Sequence, residues 1–384
     1  MPKRVGLYIH IPFCKRKCAY CDFNSFENKE NLVEAYIESL CKEIELSKPK
    51  EKSAASSIFI GGGTPSLIDA RYIKKILYRI QEYYYIDKDC EISIESNPGT
   101  LDCYKLKAYI NAGVNRLSIG LQSGQDKHLK TLGRIHNYQM FEESYLTARN
   151  AGFGNINIDL IFGIPGQSVE EWNETLKKIV HLQPEHLSCY SLKIEAGTLF
   201  GRLYNNDCAK KTAMLPELPT EDEEREMYHS AITYLEENGY KHYEISNFCR
   251  EGFECKHNII YWKCDEYLGF GAGSHSYYDD KRFRNLLRVE KYIDSLTENR
   301  LPRTDFKKIY SKESIAEYVV LGLRMIDGID TQQFNNKFNQ DFEVIFKEQI
   351  EKLVKKKLLK KIDKTYCLTK YGLDFANQVM VEFV

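Results

Sequence analysis

Segments with the character of strands and of helices alternate through the first half of the chain, and this alternation most restricts the folds open to it. Apolar runs rich in Val, Ile and Tyr are separated mostly by helical apolar patterns, for example over residues 32–44 and 73–80. Such alternation is typical of parallel βαβ units. The sequence therefore predicts an α/β fold built on a partial (β/α)6 TIM-like barrel. The six predicted strands are residues 5–11, 57–61, 90–96, 116–121, 155–162 and 186–192.

The pattern changes at Thr220. The run Thr220-Glu-Asp-Glu223 has the form of a capping box, in which the Thr hydroxyl and the Glu side chain satisfy free backbone amides, and it predicts a helix that extends to about Asn238. A strand over residues 241–248 is predicted next. An irregular stretch rich in glycine and aromatic residues follows over residues 250–285.

The last part of the chain predicts a small α+β domain of the winged-helix type. A helical pattern near residues 311–325 precedes short helices and a terminal hairpin pattern. Several lysines in this part could contact DNA, although the pattern favours a solvated helical face. The predicted domains are a barrel over residues 1–240, a connecting segment over residues 241–300 and the C-terminal domain over residues 301–384. The lysines are Lys352, Lys355, Lys356, Lys357, Lys360 and Lys361.

Three cysteines follow the first predicted strand directly. Cys14, Cys18 and Cys21 have the spacing C-x3-C-x2-C. A 4Fe-4S cluster ordinarily takes four thiolates, one per iron, so three leave one iron open to a small ligand. A zinc site would require a second pair of ligands at comparable spacing, and none follows. Scattered reduced thiols are the other alternative, since the chain has twelve cysteines. We predict a three-cysteine 4Fe-4S cluster.

Composition indicates the cellular compartment of the protein and the classes of partner that it can bind. The 54 basic and 55 acidic residues nearly balance, so no overall affinity for nucleic acid is expected. The sequence contains no long apolar segment of the kind found in signal peptides or membrane spans. We therefore expect a cytoplasmic protein, in which cysteines stay reduced and clustered thiols serve metal or redox chemistry.

Glycines and polar residues stand at the ends of the later strands. Gly61-Gly-Gly-Thr-Pro65 ends the second strand, where a glycine backbone lets a ligand approach its amides. Charged side chains amid apolar strands are costly to bury unless they are paired or liganded. Mutual pairing of Glu95 with Arg134 would satisfy them, and so would a bound ligand. The polar residues at these strand ends are Glu95, Gln122, Arg134 and Asp159.

The cysteine triplet and these strand ends together resemble the radical SAM superfamily, in which S-adenosylmethionine (SAM) binds the open iron. The resemblance implies that Glu95 meets the ammonium of SAM and Arg134 its carboxylate. Gln122 or Asp159 would meet the ribose hydroxyls. The SAM-binding residues that the resemblance implies are Tyr8, Gly62, Gly63, Thr64, Glu95, Gln122, Arg134 and Asp159.

The order of these motifs is similar to that of the oxygen-independent coproporphyrinogen III dehydrogenases and their relatives over nearly the whole chain. The run Ile161-Phe-Gly-Ile-Pro-Gly-Gln167 adds to this similarity. Those enzymes carry a further cysteine two residues after the triplet, where this chain has Phe23. The sequence also begins close to its first predicted strand, where those enzymes carry an N-terminal extension. Coproporphyrinogen dehydrogenase activity is therefore not expected.

The run Cys21-Asp-Phe23 and a later segment, His257-Asn258-Ile-Ile-Tyr261-Trp262, resemble instead the HemW-like haem chaperones. Neutral imidazole is a common axial ligand of haem iron. In a helix, His257 and Tyr261 would share one face. The resemblance implies that His257, Tyr261 and Trp262 contact haem, whereas a packed core histidine is the alternative. Three arginines that could meet haem propionates, or form a basic surface, are Arg282, Arg284 and Arg288.

The resemblance implies a haem chaperone that holds a 4Fe-4S cluster and SAM, carries haem as cargo and delivers it to apo-haemoproteins, including respiratory ones. It leaves open a homodimer and peripheral membrane association. The alternative is a radical SAM enzyme acting on tetrapyrroles, such as a coproporphyrinogen III dehydrogenase. A third interpretation is nucleic-acid modification with the C-terminal domain as an anchor; it requires salt-sensitive binding of RNA or DNA.

Overall fold

The parallel core of the fold follows the predicted strands. The computed structural model of the protein describes residues 2–49, 51–205 and 215–384. Strands β1 to β6 lie side by side in sequence order, and every neighbouring pair among them is parallel. This confirms the prediction of a partial (β/α)6 barrel. The strands are β1 Arg4–Ile11, β2 Ala54–Gly62, β3 Tyr85–Ser96, β4 Arg116–Gln122, β5 Ile156–Phe162 and β6 His186–Ser191.

Helices cover this sheet with amphipathic faces. Ile73, Ile76 and Ile80 recur at helical spacing in α2 and are all fully buried against the sheet. Asp69 caps the same helix by accepting a hydrogen bond from the amide of Arg71. The helices of this half are α1 Val33–Leu46, α2 Ala70–Tyr83, α3 Cys103–Asn111, α4 Asp126–Thr131, α5 Tyr138–Ala151, α6 Val169–His181, α7 Leu199–Tyr204 and α8 Glu221–Glu237. Single 3-10 turns occur at Glu30–Leu32 and Pro65–Leu67.

The predicted capping box is confirmed at the start of α8. The Thr220 hydroxyl accepts a hydrogen bond from the amide of Glu223, and the Glu223 carboxylate accepts one from the amide of Thr220. The helix ends at Glu237, with Asn238 as its C-cap. The acidic first turn therefore serves the helix end, because its carboxylates lie beside free backbone amides.

Later segments extend the same sheet at both edges, so that this sheet has twelve strands within the described residues. One edge gains β9, which is parallel to β1, followed by the antiparallel strands β10, β11 and β12. The opposite edge gains β8 and then β7. These elements are β7 Lys241–Glu244, β8 Asn247–Cys249, α9 Lys256–Trp262, β9 Tyr267–Phe270, β10 His275–Tyr278, β11 Lys281–Asn285, α10 Val289–Thr297 and β12 Arg303–Lys308.

Two sequence predictions were wrong in this part. Residues 241–248 do not form one strand, because the chain reverses at Ile245 and Ser246 into an antiparallel pair. The backbone of Ile245 is bonded outside that pair, with its amide donating to the carbonyl of Arg324 and its carbonyl accepting from the Tyr228 hydroxyl. Residues 250–285 are not irregular, because they contain helix α9 and three strands of the sheet.

The C-terminal part has a core of its own, in which Phe334, Phe342 and Phe346 pack against one another. A small sheet of order β13-β15-β14 lies beside the helices, which confirms the predicted α+β winged-helix-like character. The elements are α11 Ser311–Gly322, β13 Ile329–Asp330, α12 Thr331–Phe338, α13 Phe342–Ile345, α14 Lys347–Lys355, β14 Leu359–Ile362, β15 Thr365–Leu368, α15 Lys370–Asp374 and α16 Ala376–Val381.

Surface ion pairs engage several of the basic residues that the sequence analysis singled out. In the C-terminal domain, the Lys352 ammonium lies 2.7 Å from the Glu382 carboxylate, and Lys361 pairs with Glu343. On β11, the Arg282 guanidinium lies 2.7 Å from the Glu317 carboxylate, a contact that joins the large sheet to α11, and Arg284 pairs with Asp305. These pairs favour the interpretation of both groups as solvated surface. Across the ranges described, no helix combines the length and the apolar character needed to cross a membrane.

Candidate cluster and cofactor site

A cavity of about 450 Å³ lies at the carboxyl ends of the parallel strands, and we call it the strand-end cavity. Ligand sites of parallel α/β folds form at this end of the sheet. The cavity gathers the three cysteines of the triplet and seven of the eight residues predicted to bind SAM. The predicted residues that line it are Cys14, Cys18, Cys21, Gly62, Gly63, Thr64, Glu95, Gln122, Arg134 and Asp159.

The loop that carries the cysteines is fixed at several points along its length. The amide of Cys14 donates to the carbonyl of Phe26 at 2.9 Å, and the amide of Ala19 donates to the carbonyl of Leu132 at 3.0 Å. The Asn24 side-chain amide donates to the carbonyl of Ala272 at 2.9 Å, in the turn that follows β9. The loop is therefore held by the backbone at Phe26, by the end of α4 and by a later segment of the chain.

The three thiols are free and half-buried. Burial raises the pKa of both Cys14 and Cys21 above that of an ordinary thiol. The Thr64 hydroxyl lies 3.6 Å from the sulfur of Cys14, and the Arg134 guanidinium donates to the sulfur of Cys18 at 3.4 Å. The contact from Thr64 favours the thiolate of Cys14, because a hydrogen-bond donor stabilises the charged form.

Glycines of the loop after β2 allow close approach to the cysteines. Gly62 has a φ of +118°, a left-handed conformation that favours glycine. A Cβ atom on Gly63 would lie 2.8 Å from the carbonyl oxygen of Phe13 and 2.9 Å from the sulfur of Cys14. The position therefore tolerates no side chain without movement of the cysteine loop.

Two carboxyl groups face the same cavity, and no cationic side chain among the described residues lies at hydrogen-bond distance from them. The Glu95 carboxylate accepts a hydrogen bond from the amide of Gly62 at 2.9 Å, and Asp159 accepts one from the Ser118 hydroxyl at 2.8 Å. Burial and then the charge of Asp159 raise the pKa of Glu95 to about 8, and burial also raises the pKa of Asp159. A cationic ligand would relieve the repulsion between the two groups.

Arg134 places a positive charge on the wall of the cavity beside Cys18. Its guanidinium donates to the side chain of Asn97 at 2.6 Å and to the carbonyl of Gly120 at 2.8 Å. No ion pair joins Glu95 to Arg134 in the described structure, so the pairing considered from the sequence does not form. Gln122 ends β4 with a φ of +78°, a strained conformation of the kind that concentrates at functional sites.

Tyr8 lies outside the strand-end cavity, unlike the other residues predicted to bind SAM. Its hydroxyl bonds to the Nδ1 atom of His10 at 3.0 Å, and its ring stacks beside those of Phe59 and His257. Tyr8 therefore belongs to an aromatic group inside the barrel. The structure places it on β1, opposite Phe59 of β2, rather than on the cavity wall.

His257 lies in this interior group, almost fully buried at 1% exposure. Its Nδ1 atom bonds to the Ser57 hydroxyl at 2.7 Å, and its Nε2 atom bonds to the Tyr261 hydroxyl at 2.9 Å. Burial and then the charge of Arg116 lower the pKa of His257 to about 3, so the ring is neutral. The helical spacing does bring His257 and Tyr261 together, but protein groups occupy both ring nitrogens.

The other two residues of the predicted haem segment, Tyr261 and Trp262, line a second cavity of about 700 Å³. This inter-domain cavity, as we call it, lies between the end of β6, helices α8 and α9 and the C-terminal domain. It shares Tyr190, Ser191 and Lys193 with the strand-end cavity. The predicted haem segment is thus divided between the barrel interior and a cavity wall.

The sequence analysis did not select several residues of the strand-end cavity. Tyr20 lies on its wall between Cys18 and Cys21 in the chain. Asn97 donates to the Thr64 hydroxyl at 2.8 Å and accepts from Arg134, so it links the glycine loop to the cation. A usable signal existed for Asn97, because it follows Glu95 at the same strand end.

Family models match both parts of the chain. A model of the Radical SAM superfamily matches residues 8–179, and a model of the HemN C-terminal domain matches residues 310–375. The first range contains the three cysteines and all eight residues predicted to bind SAM. The second lies within the separate C-terminal core.

Full-length relatives identify the family. Heme chaperone HemW of Bacillus subtilis is 36% identical over 379 residues, which cover 98% of this chain and 98% of the relative. Heme chaperone HemW of Lactococcus lactis is 37% identical over 385 residues, which cover 100% of this chain and 98% of the relative. The chain belongs to the HemW family. It is thereby a member of the radical SAM superfamily, as the resemblance implied.

Among solved structures, the coproporphyrinogen III oxidase HemN of Escherichia coli has the same fold. Its TM-score is 0.85 at 23% sequence identity, and the match covers 100% of this chain and 90% of HemN. At this identity the likeness concerns the fold alone. It includes the partial barrel and the C-terminal domain that follows it.

Membership of the superfamily implies a 4Fe-4S cluster and SAM, and the residues of the strand-end cavity fit both. Free thiols of Cys14, Cys18 and Cys21 face one cavity. Nowhere in residues 2–49, 51–205 and 215–384 do three His, Cys, Asp or Glu side chains converge closely enough to hold a single metal ion. A cluster holds its thiolates on separate irons, so this spacing suits a cluster better than a mononuclear zinc site.

Proposed function

We propose that the protein is a haem chaperone, which binds haem, holds a 4Fe-4S cluster and SAM, and delivers haem to apo-haemoproteins. The observation that carries this proposal is the match to proteins named Heme chaperone HemW over 98% of the chain or more. Phe23 supports it, because this exposed aromatic stands where the coproporphyrinogen dehydrogenases carry a further cysteine.

We propose that the three cysteines of the triplet hold the cluster and that the strand-end cavity holds SAM. When bound, a reduced cluster supplies an electron to the sulfonium of SAM. Glu95 would meet the ammonium of SAM and Arg134 its carboxylate, and Gln122 or Asp159 would meet the ribose hydroxyls. Gly62 and Gly63 leave room for the ligand. Tyr8, which belongs to the aromatic group inside the barrel, would support the SAM site from the barrel interior. Thr64 completes the set of residues proposed to bind SAM.

His257 stays a proposed haem ligand. To bind iron, its Nε2 atom would have to give up the Tyr261 hydroxyl, since Nδ1 is bonded deeper in the barrel to Ser57. Substitution of His257 by Ala should therefore weaken haem binding or shift the Soret band if imidazole is the ligand. An unchanged spectrum would leave His257 as a core residue that connects α9 to β2.

The test of the proposed function is anaerobic reconstitution of the cluster followed by titration with haem and transfer to an acceptor. We expect saturable haem uptake with a defined Soret band. Loss of that band should accompany the appearance of holo-protein when an apo-form b-type respiratory cytochrome is added. Absence of haem uptake by the reconstituted full-length protein would contradict the proposal.

The alternative is a radical SAM enzyme that acts on tetrapyrroles. The observation that favours it is the common fold with the coproporphyrinogen III oxidase HemN, at a TM-score of 0.85. An anaerobic assay with coproporphyrinogen III, a reductant and SAM discriminates between the two. Formation of protoporphyrinogen IX would establish the enzyme, whereas haem uptake and transfer without turnover would support the chaperone.

We also propose a cytoplasmic location, with a homodimer and peripheral contact to membranes as states in which haem is passed on. Respiratory haemoproteins would be the acceptors. Size-exclusion chromatography with and without the cluster tests the dimer. Flotation with vesicles of bacterial lipid tests the membrane contact, and recovery of the protein only in the vesicle-free fractions would contradict it.

A further inference from the structure

The inter-domain cavity has the size of a small-molecule site and lies outside the cluster and SAM site. Its volume of about 700 Å³ lies within the range of roughly 300–1,000 Å³ that is usual for ligand cavities. Phe162 and Tyr190 from the barrel form one side, and Leu373 and Phe375 of the C-terminal domain form another. The cavity therefore exists only because the two parts of the chain pack together.

Polar atoms without partners concentrate on the wall of this cavity. Asn247 Oδ1, Trp262 Nε1 and Arg324 Nε are buried and make no hydrogen bond in the part of the chain that the structure describes, whereas Glu244 Oε2 lies 3.6 Å from a terminal nitrogen of Arg324 in an ion pair. Glu244 and Asn247 are only 0% and 2% exposed. Because a buried polar atom without a partner costs about 1–3 kcal/mol, such atoms are normally satisfied by water or a ligand.

Aromatic faces and cations are combined around these atoms. The Arg324 guanidinium lies 4.4 Å from the centre of the Trp262 ring, and Tyr228 stacks on Phe162 with 6.2 Å between ring centres. Lys193 stands exposed at the rim and forms no ion pair with any described residue. The other two cations of the wall, Arg225 and Arg324, are paired with Asp374 and Glu244. The combination therefore favours a flat, largely apolar ligand with a carboxylate at its edge that can reach Lys193.

We propose that the inter-domain cavity is the haem-binding site, with Trp262 and Tyr228 beside the macrocycle and Lys193 at a propionate. This inference rests on the proposed function, since it names the place where the cargo binds. Recognition here depends on the macrocycle and its carboxylates. It does not require His257, which faces the barrel interior and not this cavity.

The experiment measures binding of metal-free protoporphyrin IX and of haem to the full-length protein. The metal-free porphyrin has no iron, so an axial ligand adds nothing to its affinity, and His257→Ala should bind it as the unsubstituted protein does. Lys193→Glu should weaken both ligands by about tenfold, because one favourable charge contact becomes repulsive. Lys177→Glu, at an exposed lysine on α6 away from the cavity, is the matched control and should bind both ligands normally.

A second pair of variants tests the aromatic wall of the inter-domain cavity. Trp262→Ala should weaken the metal-free porphyrin by about tenfold, whereas Trp262→Phe should retain most of the affinity because it preserves an aromatic face. Thermal unfolding of each variant identifies a folding defect. If the unsubstituted protein takes up no haem, the proposed function fails. If it takes up haem while Lys193→Glu and Trp262→Ala bind like the control, the cavity assignment is overturned and the chaperone proposal stands.

Discussion

The strand-end cavity and the inter-domain cavity are neighbours built in different ways. The first is lined by short motifs at successive strand ends, and its polar groups bond to one another, as Arg134 does to Asn97 and Asn97 to Thr64. The second draws its wall from β6, α8, α9 and the C-terminal domain, and it contains several polar atoms without partners. A local motif can specify a cofactor site, whereas a cargo site can arise from the packing of distant segments.

The largest effect is expected in the strand-end cavity, on loss of one cluster ligand. Replacement of Cys14, Cys18 or Cys21 by Ala should abolish the cluster, because three thiolates already leave one iron without a protein ligand. Iron and sulfide analysis after anaerobic reconstitution, with the visible absorption spectrum, measures the loss. Cys103→Ala is the control, since Cys103 is exposed at the start of α3 and does not line the cavity. Full iron and sulfide in any triplet variant would remove that cysteine as a ligand.

Gly63→Ala tests how closely the two sides of the strand-end cavity are packed. The new Cβ would meet the backbone of Phe13 and the sulfur of Cys14 within 3 Å, so the cysteine loop must move. We expect SAM affinity to fall by about tenfold or more, measured by calorimetry on the reconstituted protein. Gly154→Ala provides a matched control, because nothing lies within 4 Å of a Cβ at that position. Equal SAM affinities in the two variants would show that the cysteine loop can move without loss of SAM binding.

Glu95 gives the strand-end cavity a dependence on pH. Its pKa of about 8 means that the carboxyl is protonated at neutral pH in the free protein. A cationic ligand requires the ionised form, so SAM binding should release about one proton near neutral pH, and affinity should rise as the pH approaches 8. Calorimetry in buffers of different ionisation enthalpy measures the proton. Glu95→Gln, which can still accept from the amide of Gly62, should abolish this release; unchanged proton release in the variant would assign the proton to another group.

The smallest effect is expected from Thr220→Ala, which should alter ligand binding only in the inter-domain cavity. Loss of the capping box should lower the free energy of unfolding by about 1 kcal/mol. The first turns of α8 carry Glu224 and Arg225 to the cavity wall, so haem affinity should fall by about twofold to threefold while SAM affinity stays unchanged. Denaturant unfolding and the two titrations measure these changes. A larger fall for SAM than for haem would contradict the separation of the two cavities.

The sequence predicted the strand-end cavity well for a physical reason. Parallel strands in sequence order bring their carboxyl ends to one edge, so polar residues that follow consecutive strands must meet. Glu95 and Asp159 were found in this way. Tyr8 differs in that it lies within β1, which ends at Ile11, so its side chain sits deeper in the barrel than the strand ends that line the cavity. Its role in SAM binding stays a prediction.

The later strands of the large sheet and the inter-domain cavity could not be predicted from local sequence patterns. Strand β9 joins the sheet beside β1, the strand most distant from it in the chain, and short runs such as Tyr267–Phe270 are too brief to show a period. The inter-domain cavity depends on how Arg324 and Phe375 approach the barrel. Long-range packing of this kind has no signature in the spacing of residues, although Trp262 was singled out through its motif.

The end of β6 belongs to both cavities, since Tyr190, Ser191 and Lys193 line each of them. A ligand that displaces this strand end on one side changes the free energy of the ligand on the other. Such coupling is reciprocal by thermodynamic necessity: the factor by which SAM alters haem affinity equals the factor by which haem alters SAM affinity. Cofactor occupancy could thereby set when cargo is held and when it is released, without any chemical turnover of the cofactor.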